Sequence, residues 1–249
     1  EVTRVEMDED AAEKGGHETF MLKEIYEQPD ALWNTLGERL NADGTVDLPD
    51  LGLDDAELAR VERIQIVACG TSYHAGLVGR YLIEDWARVP VHIEVASEYR
   101  YRTCLAGPGD LVIGITQSGE TADTLAAMRV ARERGAHVVA LTNIIGSQAT
   151  RDSDGVLLTR AGLEIGVAAT KTHTAQIMAF ALLALKLGRL KWALTAAGAL
   201  DLAGDILRLP DQVKDYLDSP APAQVYEVAG RYFDRPFFLY LGRHVGVPV

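Results

Sequence analysis

From residue 63 onward the chain alternates short apolar runs with stretches of helical periodicity, and this alternation restricts the fold more than any other feature. RIQIVACG (63–70) is an apolar run closed by glycine, and a helical pattern follows from Ser72 to Ala87. VHIEVAS (91–97) and DLVIGIT (110–116) read as the second and third strands. The third is apolar between its polar ends, as expected of a strand buried on both faces. A helix is expected from Thr121 to Arg134, stopped by Gly135, and then HVVALTN (137–143) and DGVLLTR (154–160) read as strands four and five. Strands separated by helices are joined by crossovers, and crossovers make neighbouring strands parallel. The expected class is therefore α/β, a five-stranded parallel sheet flanked by helices.

Both flanks of this region differ in texture. Residues 18–40 carry apolar residues at helical spacing, with Pro29 marking a break or a new helix start. Residues 41–62, including NADGTVDLPDLGLDD, are acidic and turn-rich, and predict a surface loop leading into a short helix. After residue 170 the pattern is helical over 170–187, 195–218 and 221–231, with Pro210 and the Ser219–Pro222 stretch interrupting or separating the helices. PFFLYLGR (236–243) then reads as one more buried strand, the start of a further α/β unit.

Charge narrows the function classes once its distribution is read. The net charge is −12, but residues 1–62 hold 18 acids and 5 bases, and residues 63–249 hold 18 acids and 19 bases. The acidity belongs to the leading segment, and the body of the chain is nearly neutral. No Lys/Arg stripe supports a nucleic-acid surface. No run approaches the ~18 consecutive apolar residues of a membrane span, and the opening EVTRVEMDEDAAEKGGH has no apolar centre like that of a secretory leader. Cys69 and Cys104, 35 residues apart, form neither a metal pattern nor a disulfide framework, which fits a reducing cytoplasm. Cys69 ends an apolar run and is expected to be a buried small hydrophobe.

In doubly wound sheets ligands bind beyond the carboxyl ends of the strands. After strand one the sequence reads Cys69-Gly70-Thr71-Ser72-Tyr73-His74, and after strand three Thr116-Gln117-Ser118-Gly119-Glu120-Thr121. Each places glycine and hydroxyls between a buried strand and a helix start. Glycine lets a backbone approach closely, the helix N-terminus offers free N–H groups, and hydroxyls add donors, so the pair suits a phosphate. Either loop alone could owe Ser72 and Thr121 merely to helix capping. A third loop, Gly162 to Lys171, is rich in small residues; Thr170 there reads equally as an N-cap and Lys171 as a solvated charge. The histidines lack metal spacing, and no G-x-G-x-x-G or G-K-[ST] motif occurs, so a nucleotide-binding reading is unsupported.

The pieces HETFMLKEIYEQP, ACGTSYHAG, IEVASEYRYR, TQSGETADTLAAMR, LTNIIGS and GLEIGVAATKTHTAQ stand in this order between residues 17 and 176, within a likeness that covers about residues 17–243. In them the chain resembles the sugar isomerase (SIS) domain family and, within it, the isomerase part of the glutamine–fructose-6-phosphate transaminases (isomerising), the glucosamine-6-phosphate synthases. The resemblance implies a flavodoxin-like SIS fold and a hexose 6-phosphate ligand at the strand ends. It places phosphate and sugar contacts on Thr71, Ser72, Thr116, Gln117, Ser118 and Thr121, with Val167 on the sugar side. It divides the chain into an acidic linker with leading helices (1–62), a first SIS subdomain (63–190), and connecting helices with the start of a second SIS subdomain (191–249). Two positions depart from the family pattern: Thr116 stands for a serine and keeps the hydroxyl, and Ala169 stands for a serine and loses one.

The resemblance also implies an absence of cofactors, a glutaminase domain elsewhere in the parent enzyme, a homodimer and a cytoplasmic setting. The family's proton-shifting Glu, a ring-opening His and a Lys belong to the second half, beyond Val249, so no catalytic residue is assigned here and the chain alone is expected to bind without turnover. The alternative is a non-catalytic SIS module that senses a phosphosugar for a partner.

Overall fold

The computed structural model describes residues 13–247, leaving the first twelve residues of the acidic segment and the last two residues, Pro248 and Val249, outside the described residues. Five strands form one parallel sheet: β1 (Arg63–Ala68), β2 (Val91–Val95), β3 (Asp110–Thr116), β4 (His137–Thr142) and β5 (Gly155–Leu158), in the order β2-β1-β3-β4-β5. All pairs are parallel, with Ile66 opposite Ile93 and Ile113, and Ile113 opposite Val139. The five strands predicted between residues 63 and 160 are those observed.

Side chains alternate across the sheet and divide the core in two. Ile64, Ile66, Ile113, Ile115, Val139 and Leu141 face α2 (Gln28–Leu36), α4 (Gly70–Ala87), α8 (Lys171–Leu190) and α9 (Ala196–Asp218). Val67, Val112, Val138 and Ala140 face the other way, with α6 (Ala122–Glu133) and the short helices α5 (Ala96–Tyr99) and α7 (Gln148–Asp152). Burial on both faces explains why β3 is apolar at every position but its polar ends. The leading segment contributes to the same core. After α1 (Phe20–Tyr26), Leu32 and Leu36 of α2 are buried with the sheet, as are Leu48, Leu51 and Leu58, the last on α3 (Asp55–Arg60). Pro29 sits in the first turn of α2, where a missing N–H has no intrahelical partner to lose.

Two expectations change. Pro210 does not interrupt its helix: α9 runs through it from Ala196 to Asp218, and the proline ring is buried. The helix tolerates the lost backbone bond because its inner face packs against α2 and α8. Residues 236–243 follow α10 (Ala221–Tyr232) as extended chain with no ladder among the described residues. Phe237 is 78% exposed and Leu241 88%. A strand exists only when a neighbour supplies its backbone partners, and none of the five strands stands beside this segment.

Candidate functional site

The strand order reverses direction between β1 and β3, which are direct neighbours. Chain leaving the two carboxyl ends diverges there, and a crevice forms. Ala68 is opposite Ile115, so the loop after β1 and the loop after β3 emerge side by side. They enclose a cavity of about 240 Å³ lined by Cys69, Gly70, Thr71, Ser72, Ile115, Thr116, Gln117, Ser118, Thr121 and Thr124. Six of the seven residues singled out from the sequence are in this lining. The seventh, Val167, is fully exposed on the loop before α8 and is not among the lining residues.

The capping alternative is resolved by geometry. The N-cap of α4 is Cys69, in extended conformation, whereas Ser72 is the third residue of the helix. Cys69 is half-buried in the cleft lining, not enclosed in the core as expected from its apolar run. Thr121 is the N-cap of α6, but its side chain caps nothing and lies 2.8 Å from Thr116 Oγ1. Neither helix has a side-chain acceptor on its first-turn N–H groups. Those groups and the positive ends of the two helix dipoles therefore address the cleft.

The hydroxyls are arranged as donors. Thr116 Oγ1 accepts from Gly119 N at 3.2 Å, and Ser118 Oγ accepts from Glu120 N at 3.2 Å. Ser72 Oγ accepts from the Gln176 side-chain amide at 3.1 Å. An oxygen that already accepts from an N–H keeps its own proton for another acceptor. The cleft lining holds no carboxylate, ammonium, guanidinium or imidazole. It thus offers O–H and N–H donors to an anion, without a group that takes up a proton at neutral pH.

Backbone contacts hold the loops in place. Gln117 O accepts from Asn143 N at 3.2 Å and from Thr142 Oγ1 at 3.4 Å, tying the β3 loop to the end of β4. Gly119 has φ +72°, and a Cβ there would come within 2.0 Å of Ser147 Oγ and 2.3 Å of Ser147 Cβ. Only glycine combines that conformation with that approach. On the other side, His173 Nδ1 donates to Thr71 O at 3.1 Å, and burial pushes this imidazole below its ordinary value.

The loop before α8 is held by carboxylates. Glu24, 2% exposed on α1, accepts from Ile165 N at 2.6 Å and Gly166 N at 3.0 Å. Glu164 accepts from Thr170 N at 2.9 Å, Thr172 N at 3.3 Å and the Thr172 hydroxyl. Lys171 is not a solvated charge: it is buried and paired with Glu27 Oε2 at 2.6 Å. Sequence reasoning passed over Glu24, Gln176 and His173 because their partners are more than a hundred residues away. Thr124 was also missed; it is buried against the cleft, its hydroxyl without a protein partner. Its only sequence signal is its place three residues after Thr121, in the first turn of α6. Among the described residues no group of three or more His, Cys, Asp and Glu is arranged to hold a metal, and no helix is long and apolar enough to cross a membrane.

A 2-1-3-4-5 parallel sheet with a donor-lined cleft at its switch point defines a doubly wound α/β protein whose candidate site lies at the strand ends. Residues 57–186 match the SIS domain, and the chain belongs to the SIS domain family. It is 47% identical over 250 aligned residues to glutamine–fructose-6-phosphate aminotransferase [isomerizing] of Symbiobacterium thermophilum, and 44% identical over 249 to the protein of that name from Clostridium acetobutylicum. Each alignment covers 100% of this chain and 41% of the relative, so the chain spans about two-fifths of their length. Among solved structures, the C-terminal domain of glucosamine–fructose-6-phosphate aminotransferase from Francisella tularensis superimposes with a TM-score of 0.88 at 37% identity, covering 95% of this chain and 65% of that one.

Proposed function

We propose that this chain is the phosphosugar-binding portion of an isomerising glutamine–fructose-6-phosphate aminotransferase, an enzyme that makes glucosamine 6-phosphate from fructose 6-phosphate and glutamine. The observation that carries the reading is the uncharged, donor-rich cleft between β1 and β3, and the similarity to the aminotransferases supplies the substrate. Ser118 donates a hydroxyl bond to the phosphate; Thr116 and Thr121, joined to each other by one of their two protons, donate the other; first-turn N–H groups of α6 add to these, and Thr71 with Ser72 hold the sugar. Each charge-assisted bond contributes about 1.5–3 kcal/mol, so a handful supports binding without a nearby cation. Val167 stands on a loop fixed by Glu24 and Glu164, from which it reaches the sugar side only when a ligand extends past the cleft. The same reading brings a glutaminase partner domain, a homodimer and a cytoplasmic setting; the free thiols Cys69 and Cys104 suit the last.

Because the cleft holds no group that takes a proton from carbon, the function assigned to it is binding and orientation, not proton transfer. Calorimetric titration of the chain tests this with glucosamine 6-phosphate, fructose 6-phosphate and unphosphorylated glucosamine. Both phosphates are expected to bind and glucosamine is not. Ser118→Ala is expected to weaken both by about tenfold or more, the loss of one charge-assisted bond. Equal binding of glucosamine and its phosphate, or undiminished binding by Ser118→Ala, overturns the assignment of the phosphate.

A further inference from the structure

Gln176 lies on α8, outside the two loops that form the cleft, and is 2% exposed. Its Nε2 donates to Ser72 Oγ at 3.1 Å across 104 residues of sequence. Its Oε1 is buried without a protein partner. The amide nitrogen, not the oxygen, is therefore the group directed at Ser72.

A serine hydroxyl has one proton and two lone pairs. With an amide N–H directed at one lone pair, the Ser72 proton cannot point back toward Gln176, and the remaining open direction is the cleft that Ser72 lines. We propose that Gln176 is a positioning residue of this cleft: its amide fixes the polarity of the Ser72 hydroxyl so that Ser72 donates to an oxygen of the bound hexose 6-phosphate. The inference rests on the function proposed above and adds to it a buried residue that sets the direction of a hydrogen bond in the site. His173, three residues earlier on α8, holds the Thr71 carbonyl from the same helix, so α8 fixes both the backbone and the hydroxyl polarity of the loop after β1.

Three variants test this on the intact chain, with glucosamine 6-phosphate as the probe in calorimetry and thermal melting as the check on folding. Gln176→Met keeps the volume and removes the donor; about tenfold weaker binding is expected. In a Ser72→Ala background the same substitution is expected to change affinity by less than about twofold, because the hydroxyl it orients is gone. A merely structural Gln176 would give the same loss in both backgrounds, and that result overturns the proposal.

Gln176→Glu provides a second readout. As a carboxylate it accepts from Ser72 and turns the proton away from the ligand; as a neutral acid it donates as the amide does. Burial raises the pKa of such a carboxyl. The affinity ratio of variant to wild type is therefore expected to recover toward unity as the pH is lowered from 8 to 5.5. The groups that titrate or carry charge around this part of α8 are His173 and Lys171, His74 on α4, Glu27 before α2 and Glu164 in the preceding loop. Both proteins contain all of them, so the ratio isolates residue 176. A flat ratio overturns the proposal while leaving phosphosugar binding intact. No binding by the wild-type chain overturns this inference and the proposed function together.

Discussion

Replacing Gly119 by alanine tests whether the loop after β3 is the rigid part of the site. The residue has φ +72°, a region where an L side chain costs about 1–2 kcal/mol. The added methyl also meets Ser147 Oγ at 2.0 Å and Ser147 Cβ at 2.3 Å. Rotating the serine removes the first contact but not the second, so backbone must shift, and Ser147 is only 3% exposed. Overpacking of this kind costs about 1–3 kcal/mol. Together the two effects predict a loss of roughly 2–5 kcal/mol in denaturant unfolding. The shift also falls on the Gly119 N–H that fixes Thr116 Oγ1, and on Gly119 O, which accepts from Ala149 N at 2.9 Å. Phosphosugar affinity is therefore expected to fall along with stability. Adding Ser147→Gly deletes the obstructing Cβ and should restore the packing part, leaving the backbone strain of about 1–2 kcal/mol. A Gly119→Ala variant that loses less than about 1 kcal/mol and binds normally would refute both the conformational and the positional argument.

Two further outcomes follow from the buried groups beside the site. Glu27→Met leaves Lys171 buried without its partner and should destabilise by about 3 kcal/mol. Lys171→Met leaves a carboxylate that is 31% exposed and 3.5 Å from Lys23, and should cost about 1 kcal/mol or less; equal losses in chemical denaturation would contradict the burial assigned to Lys171. For His173 the folded state holds the proton less tightly than the unfolded chain, whose ordinary value is 6.5, chiefly because of burial. Its contribution to stability is thus complete above pH 6.5 and is lost as the pH falls from there through the lower folded value. The difference in unfolding free energy between wild type and His173→Asn should shrink over that window, and a pH-independent difference would show that His173 does not titrate as described.

Features set by local residue pattern were legible in the sequence, and features set by distant partners were not. Strands buried on both faces, such as DLVIGIT, declare themselves as apolar runs, and the Gly-and-hydroxyl loops that follow them mark the cleft. Side chains whose surroundings are tertiary gave no such signal. Lys171 looks like any lysine beginning a helix until Glu27 is found beside it, and Gln176 looks like a polar position on a helix that happens to be buried. Pro210 carries a strong local rule against helix interiors, yet packing of α9 outweighs it. At 236–243 the apolar pattern is that of a strand, but pairing is a property of two segments, and among the described residues this one lies unpaired.

The central claim is the location of the phosphate, and a crystal structure of the chain with glucosamine 6-phosphate tests it most directly. Phosphate oxygens are expected about 3 Å from Ser118 Oγ, Thr121 Oγ1 and the first N–H groups of α6. A phosphate found instead against a guanidinium, such as those of Arg39 and Arg160 in the cavity beside Pro49, would contradict the uncharged cleft between β1 and β3 as the site of binding.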